Sequence, residues 1–220
     1  MRSKAKPRQV TQPKDRRNRE PELLEAALHL FARQGYAATG LQDIADAVGV
    51  LKGSLYHYIT TKEDLLYEIF ERAHVAAVEL MAETDALDMD PVERLRTYLE
   101  HSVLNRISNL ELTTLYFRDW RQLTGDNLKT LIVRRRQYDA YLRRLIAEAR
   151  EAAGVADAVD ARYASSFIWG GTSWVADWYH PEGRDAPEEV ARGYTDLAMA
   201  AILGHASAPA DARPSRRVQA

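Results

Sequence analysis

Residues 39–65 read TGLQDIADAVGVLKGSLYHYITTKEDL, and this stretch decides the fold. The spacing of its apolar residues predicts two short helices, 41–48 and 52–58, joined by a turn of three residues. A capping box formed by Thr39 and Gln42 is expected to start the first helix. Neither helix reaches the ~12 residues that an isolated helix needs, so both must pack on a common core. This spacing is that of a helix-turn-helix.

The second helix of the pair carries a polar and aromatic face instead of an apolar one. The residues of this face are Lys52, Gly53, Ser54, Tyr56, His57 and Tyr58. Exposed tyrosines beside a lysine need a partner, and the phosphates and base edges of duplex DNA supply one. We therefore expect this helix to bind in the major groove.

Helical periodicity continues through the rest of the chain, and the sequence predicts no strand. Further helices are predicted at 91–107, 110–123, 127–152, 158–179 and 187–204. The predicted fold is all-α, with an N-terminal three-helix domain that contains the helix-turn-helix and a C-terminal helical bundle. The expected divisions are a disordered basic arm at 1–19, the helix-turn-helix domain at 20–66, a helical body at 67–205 and a disordered tail at 206–220.

Composition argues against several classes of protein. The chain has no cysteine, which excludes disulfides, thiolate catalysis and cysteine zinc sites. No apolar stretch approaches the ~18 residues of a membrane span. Gly-rich phosphate loops, nucleophile elbows and paired-histidine motifs are all lacking from the sequence. We expect a cytoplasmic protein with no metal, cofactor or membrane partner; an all-α enzyme with acids in its bundle is the remaining enzymatic alternative.

The net charge of −2 conceals a basic N-terminal arm. Residues 1–20 contain eight Lys and Arg against Asp15 and Glu20, a net charge of +6. Between residues 34 and 66 the only Lys or Arg residues are Lys52 and Lys62, so the helix-turn-helix itself neutralises few phosphates. The arm is therefore expected to contribute to DNA binding, although a solvated tail without a partner is equally compatible with its composition.

The N-terminal third of the chain resembles the TetR family of regulators. The resemblance rests on residues 24–36 (LEAALHLFARQGY), on Thr39, Ile44-Ala45 and Val48-Gly49-Val50, and on the runs Gly53–Tyr58 and Lys62–Leu65. It implies an Ω-shaped homodimer, with the body as the ligand-binding and dimerisation domain, and a pseudo-palindromic operator whose half-sites lie about one helical turn apart.

The same resemblance assigns roles within the helix-turn-helix. Tyr56 and Lys62 are expected to bind phosphates, and Thr39 to lie at a helix N-terminus that meets the DNA backbone. Lys52, Ser54, His57 and Tyr58 are expected to face the major groove. One departure is Leu51, which stands where many members have a hydroxyl residue that caps the recognition helix.

The body is rich in aromatic residues that are candidates for an effector pocket. Arg135 and Tyr138 fall on the apolar stripe of the predicted helix 127–152, where a partly polar ligand is one explanation for them. The alternative is that Arg135 reaches solvent along its stem and Tyr138 finds a hydrogen bond in the core. The expected ligand-binding residues are Tyr116, Trp120, Arg135, Tyr138 and Trp174.

The pair Gly170-Gly171 is unfavourable in the middle of a helix by roughly 1–2 kcal/mol relative to alanines. We expect the space to be needed either by a partner backbone or by a ligand beside Trp174. The family dimerises through its last two long helices, which implies a homodimer interface. The expected interface residues are Gly170, Trp178, Tyr194, Leu197 and Ala201.

The segment 172–183 and the turn Gly49–His57 are similar to the TetR subgroup that senses coenzyme A thioesters in lipid and steroid catabolism. By this resemblance the effector is an acyl-CoA or ring-acid CoA thioester, and its binding releases DNA. Arginines are expected to bind the CoA phosphates. The candidates are Arg118, Arg121, Arg134, Arg135, Arg136, Arg143 and Arg144. A different hydrophobic ligand of the efflux type, or a helical carrier without DNA function, is the alternative.

Overall fold

The computed structural model describes residues 19–155 and 159–204, and within these ranges every regular element is a helix. The expected basic arm, up to residue 18, and the C-terminal tail lie outside the described residues. The helices are α1 (Arg19–Gln34), α2 (Leu41–Ala47), α3 (Lys52–Leu55), α4 (Lys62–Asp85), α5 (Pro91–Ser108), α6 (Leu110–Asp119), α7 (Gly125–Ala153), α8 (Ala161–Ser173), α9 (Val175–Trp178) and α10 (Pro187–Leu203). The all-α prediction is confirmed.

Capping side chains set where the long helices begin. Thr61 starts α4 through a reciprocal capping box with Asp64, and Asp90 starts α5 by accepting a hydrogen bond from the Val92 amide at 2.8 Å. The α1 helix ends at Gly35, whose φ of +92° lies in the region that favours glycine. The start of α5 agrees with the helix predicted at 91–107.

The predicted capping box at the start of α2 is wrong. Gly40 is the N-cap, and its amide donates to the Asp43 carboxylate at 2.8 Å. The Thr39 hydroxyl is used elsewhere, because it donates to the Gly35 carbonyl at 2.8 Å. Thr39 therefore closes the turn after α1 instead of opening α2.

Three predicted helices are shorter than expected. The recognition helix α3 ends at Leu55, and residues 56–58 form a turn in which the Tyr58 amide donates to the Leu55 carbonyl at 2.8 Å. Helix α6 gives way to a 3₁₀ turn after Asp119. The predicted helix 158–179 is broken at Trp174, directly after the segment weakened by its two glycines.

The core of the helix-turn-helix continues into the body. Phe31, Ile44 and Leu55 form one cluster of buried side chains with Leu115 of α6 and Leu131 of α7. Helix α4 contributes to this cluster with its first turns and then runs on along the body, across the predicted boundary at residue 66. A second cluster joins α5, α7, α8 and α10, and a third joins α5, α9 and α10. No helix in the described ranges has the length and apolar composition needed to cross a membrane.

Candidate DNA-binding surface and effector cavity

The predicted DNA-facing residues form one continuous surface on α3 and the turn after it. Lys52, Gly53 and His57 are exposed, and Tyr56 is 54% exposed, whereas Leu55 is buried beneath them. Ser54 and Tyr58 are half-buried at the edge of this surface. The N-cap of α3 is Leu51, whose side chain makes no capping bond and is 81% exposed. This surface presents aromatic and polar groups outward, as a groove-binding helix requires.

Two of the residues expected to contact the DNA backbone, Lys62 and Thr39, make hydrogen bonds within the protein. The Lys62 Nζ donates to the carbonyls of Tyr36 and Thr39, both at 2.8 Å, and lies 4.2 Å from the centroid of the Tyr36 ring. Burial lowers the pKa of the Lys62 ammonium. Thr39 directly precedes Gly40, the N-cap of α2, and so lies at a helix N-terminus as expected, although its side chain is only 1% exposed; its contact with DNA stays a prediction. Both residues hold the turn between α1 and α2 in place.

A cavity of about 770 Å³ lies between α1 and the helices α4 to α8. Its apolar walls include Leu24, Leu28, Ile69, Leu80, Leu112 and Trp169. Among the predicted ligand-binding residues, Tyr116, Arg135 and Tyr138 line this cavity. The volume is in the range of cavities that enclose small organic ligands.

Two aromatic residues predicted to bind ligand lie elsewhere. Trp120 packs against the core of the helix-turn-helix, and the Arg135 guanidinium lies 4.8 Å from its ring centroid. Trp174 is 64% exposed on the outer surface, because the chain breaks from α8 at this residue. Gly170, predicted at the dimer interface, borders the cavity, and a Cβ there would meet no atom within 4 Å.

Sequence reasoning missed Arg106, whose side chain lines the cavity from α5. Its Nη1 donates to the Ser102 carbonyl at 2.7 Å, and its Cζ lies 4.9 Å from the centroid of the Trp169 ring. The Nε atom is buried without a hydrogen-bond partner. Burial lowers the pKa of this guanidinium. In the sequence Arg106 looks like an ordinary polar residue near a helix end, and only the packing of α8 over α5 makes it an interior one.

Most of the arginines expected to bind CoA phosphates are engaged in ion pairs. Arg134 forms a close ion pair with Glu71, and Arg143 forms one with Asp139. Arg144 forms ion pairs with both Asp85, at 2.8 Å, and Glu148, at 2.9 Å. Arg118 is bonded to Asp119. Within the described ranges, no ion pair is found for Arg121, Arg135 or Arg136.

Helix α6 connects the cavity to the helix-turn-helix. Its residues Leu112, Thr113, Tyr116 and Phe117 line the cavity. The next residue, Arg118, donates from Nη2 to the Phe31 carbonyl at 2.6 Å and from Nη1 to the Ala32 carbonyl at 3.0 Å.

Asp119, the final residue of α6, extends the contact of this helix with the C-terminal end of α1. The Tyr36 amide donates to the carboxylate of Asp119 at 3.3 Å, and Arg118 donates to the same carboxylate at 3.0 Å. Asp119 is 7% exposed, so this carboxylate depends on these partners for its hydrogen bonds. One helix therefore forms a cavity wall and holds the C-terminal end of α1.

An apolar stripe lies on the outside of α8 and α10. Tyr163 and Phe167 are 69% and 67% exposed on α8, Trp174 follows at its end, and Leu197 is 70% exposed on α10. Beside them, the Trp178 Nε1 donates to the Tyr194 hydroxyl at 2.9 Å, and the two rings are stacked. Ala201 is exposed one turn beyond Leu197. All of the predicted interface residues are thus accessible to a partner.

Comparison with known families identifies both halves of the chain. The family model "Bacterial regulatory proteins, tetR family" matches residues 23–69, and "Tetracyclin repressor-like, C-terminal domain" matches residues 88–202. The chain belongs to the TetR family. It is accordingly a transcriptional regulator with a helix-turn-helix DNA-binding domain, and not an enzyme.

This TetR regulator is similar to repressors over most of its length. It is 32% identical over 193 residues to the HTH-type transcriptional repressor KstR2 of Rhodococcus jostii (strain RHA1). The aligned region covers 82% of this chain and 89% of that repressor. The structure of the ketosteroid transcriptional regulator KstR2 of Mycobacterium tuberculosis matches with a TM-score of 0.78 at 25% identity, covering 88% of this chain and 98% of that one. AibR in complex with isovaleryl coenzyme A and operator DNA matches with a TM-score of 0.74 at 27% identity, covering 82% and 97%.

Proposed function

We propose that this TetR regulator is a homodimeric repressor that a coenzyme A thioester with a bulky apolar acyl group releases from its operator. The observation that carries the proposal is the cavity, whose walls include the two helices, α4 and α6, that hold the helix-turn-helix. An apolar acyl group placed there contacts both helices. The likeness to AibR, whose complex contains isovaleryl coenzyme A and operator DNA, supports the thioester class.

The route from the cavity to DNA runs along α6. An acyl group that displaces Tyr116 or Phe117 moves the backbone that carries Arg118 and Asp119. Arg118 is hydrogen-bonded to the last carbonyls of α1, and Asp119 to the Tyr36 amide. Lys62 connects Tyr36 to Thr39, directly before α2. A shift of α6 is thus transmitted to the helix-turn-helix, and the ligand acts through its different affinity for the two positions.

Dimerisation is proposed through the apolar stripe on α8 and α10. Monomeric proteins rarely expose contiguous apolar surface of this kind without using it for an interaction. Aromatic anchors such as Phe167 and Trp174 are also the residue types that dominate interface energies. A dimer formed here presents two copies of α3 to successive major grooves, about 34 Å apart on one face of the duplex.

Operator release tests the proposed function directly. The full chain is titrated into labelled DNA from its own upstream region, and the complex is followed by fluorescence anisotropy while octanoyl-CoA, free octanoate or CoA alone is added. We expect the thioester to release DNA at concentrations where octanoate and CoA do not. Release only by neutral hydrophobic compounds supports the efflux-type alternative, and thioester binding without any DNA complex supports a carrier.

The oligomeric state tests the dimer separately. We expect Phe167→Glu with Leu197→Glu to convert the dimer to a monomer in light scattering. The matched control is Val133→Glu, which places the same charge at another exposed apolar residue, 52% exposed on α7. Dissociation by the control variant, or a dimer that survives the double substitution, contradicts the assignment of the interface.

A further inference from the structure

The charged residues that line the cavity include arginines without an ion pair, whereas its acidic residues are all paired. Its lining contains Arg72, Arg106 and Arg135, with Glu25 and Asp139 as the acidic residues. Both acids are already paired: Glu25 contacts Arg72 at 3.3 Å, and Asp139 is paired with Arg143 of the same helix. In residues 19–155 and 159–204, no carboxylate forms an ion pair with Arg106 or Arg135.

Arg106 is the more constrained of these two cations. Its Nη1 bond to the Ser102 carbonyl and its contact with the Trp169 ring fix the guanidinium in place, while the Nε remains without a partner. A buried charge without a counter-ion is strongly unfavourable in a protein interior. Such a group is expected where a ligand brings the opposite charge.

Tyr116 provides a second unpartnered donor beside Arg106. Its hydroxyl is buried and has no partner at normal hydrogen-bond geometry within the described chain, and the Arg135 side chain is the nearby donor that interacts with it. Burial raises the pKa of this phenol, against the opposing influence of the nearby Arg135 and Arg106 charges. The phenol is therefore protonated at neutral pH and is able to donate. A guanidinium and a hydroxyl together are a common receptor for a carboxylate, which accepts several charge-assisted hydrogen bonds.

We propose that Arg106 and Tyr116 bind a carboxylate on the buried end of the effector. The inference rests on the proposed function, and it narrows the effector class to CoA thioesters whose acyl group carries a second acid. In such a ligand the apolar body lies along Ile69, Leu80 and Leu112, and the distal carboxylate neutralises Arg106. A plain fatty acyl group fills the same walls but leaves Arg106 unpaired. A free dicarboxylic acid offers the same chemistry from a second source.

A comparison of matched ligands distinguishes acid-bearing CoA thioesters from free dicarboxylic acids. Binding is measured by isothermal titration of the full chain with a ladder of dicarboxylic CoA thioesters, from succinyl-CoA to sebacyl-CoA, beside the fatty acyl-CoAs and the free dicarboxylates of equal length. We expect one length of dicarboxylic thioester to bind more tightly than its fatty acyl counterpart. In Arg106→Met this advantage is lost, with about 10- to 100-fold weaker binding of that ligand and unchanged binding of the fatty acyl-CoA.

Other outcomes divide the two proposals. If fatty acyl-CoAs release DNA but no acid-bearing ligand gains from Arg106, the carboxylate site is wrong and the thioester function stands. If no thioester of either kind binds, but a free dicarboxylate binds in a manner that depends on Arg106, the site stands and the thioester function is wrong. Equal losses of both thioester types in Arg106→Met contradict the site.

Stability without ligand distinguishes a binding role from a structural one. We expect the melting temperature of unliganded Arg106→Met to rise by about 2–4 °C, because an unpaired charge has been removed. The control is Arg150→Met, since Arg150 is also buried but donates to the carbonyls of Ile202 at 3.0 Å and Val159 at 2.7 Å. That variant is expected to melt lower. If Arg106→Met also melts lower or does not fold, and Arg106→Lys does not restore the dicarboxylate preference, Arg106 is structural and the proposal fails.

Discussion

The DNA-binding surface and the effector cavity are built in opposite ways. The surface on α3 comes from one short run, Lys52 to Tyr58, in which Leu55 is buried and Lys52, Tyr56 and His57 are exposed, and its spacing follows from the chain itself. The cavity is assembled from α1 and α4 to α8, and its lining residues lie far apart in sequence. The first is a local motif, while the second exists only in the packed protein. A substitution in the cavity is therefore expected to have consequences at a distance that a substitution on the surface does not.

The largest expected effect tests whether the two regions fold as one unit. Phe31→Ala removes a fully buried ring from the cluster shared by α1, α6 and α7 and is expected to cost about 3–5 kcal/mol of unfolding free energy. Because Leu115 and Leu131 belong to the same cluster, hydrogen exchange is expected to rise in α6 together with α1. Ile146→Ala, in the cluster of α5, α7, α8 and α10, is the control. Faster exchange confined to α1 to α3 contradicts a shared core.

The next effect concerns the connection between the two regions. Arg118→Met removes the donors to the Phe31 and Ala32 carbonyls and leaves the buried Asp119 with fewer partners, at a cost of about 1–3 kcal/mol. Effector binding is expected to change little. The effect of bound effector on operator affinity, typically 5- to 150-fold (~1–3 kcal/mol) for allosteric coupling, is expected to be largely lost. The readouts are effector titration and operator anisotropy on the same sample.

A matched variant isolates this connection. Arg121 is exposed, stacks on Trp120 at 4.3 Å and forms no ion pair in the described part of the chain. Because Arg121 is one of the candidates for binding the CoA phosphates, Arg121→Met is tested at saturating effector, where it is expected to keep full operator release. Equal loss of release in the two variants indicates a general effect of positive charge and not a specific role of Arg118.

A smaller effect is predicted for the basic arm. Lys62 is occupied with main-chain carbonyls, so Lys52 is the only Lys or Arg among residues 34–66 whose side chain is exposed. Deletion of residues 1–17 is expected to weaken operator and random DNA alike and to reduce the slope of log K against log salt by about 0.9 for each phosphate that the arm neutralises. Lys52→Ala serves as a single-charge reference. A salt slope that the deletion leaves unchanged removes the arm from the DNA complex.

The smallest effect is a pH dependence at His74, which contacts the cavity residue Tyr138. Burial lowers the pKa of His74, aided by the Arg134 charge and opposed by Glu71, and its Nδ1 lies 2.6 Å from the Tyr138 hydroxyl. The unfolded chain therefore binds this proton more readily than the folded one. The contribution of His74 to stability is complete above the unfolded pKa of about 6.5 and is lost as the pH falls through the folded value. Thermal melting between pH 8 and 5 is expected to decline less in His74→Gln than in the parent protein.

The contrast between the regions also explains what the sequence could predict. Helix starts at Asp90 and Thr61 and the stop at Gly35 were predictable, because caps depend on neighbours within one turn. Thr39 misled the prediction, since its hydroxyl had two local partners to choose between: the Gly35 carbonyl behind it, to which it donates, and the free amides at the start of α2, from which it would accept.

Residues of the cavity were harder to predict, because their surroundings come from distant elements. Arg135 and Tyr138 were identified from polar groups within an apolar stripe and Tyr116 from the aromatic content of the body, and all three line the cavity. Arg106 carried no such signal, since its own helix does not reveal that Trp169 covers it. The ion pairs of the arginine run could not be predicted for the same reason: Glu71 and Asp85, which neutralise Arg134 and Arg144, lie on α4.

Arg118 binds α1 through main-chain carbonyl oxygens, which are present whatever the side chains of α1 are. The exterior of the helix-turn-helix can therefore change its composition without losing this attachment, provided that α1 remains helical to Gln34. In this respect, the exposed side chains of the helix-turn-helix can change independently of the helical body. A chimaera that joins another member's helix-turn-helix domain to this body is expected to keep the Arg118 contact where its α1 also packs on Leu115 and Leu131.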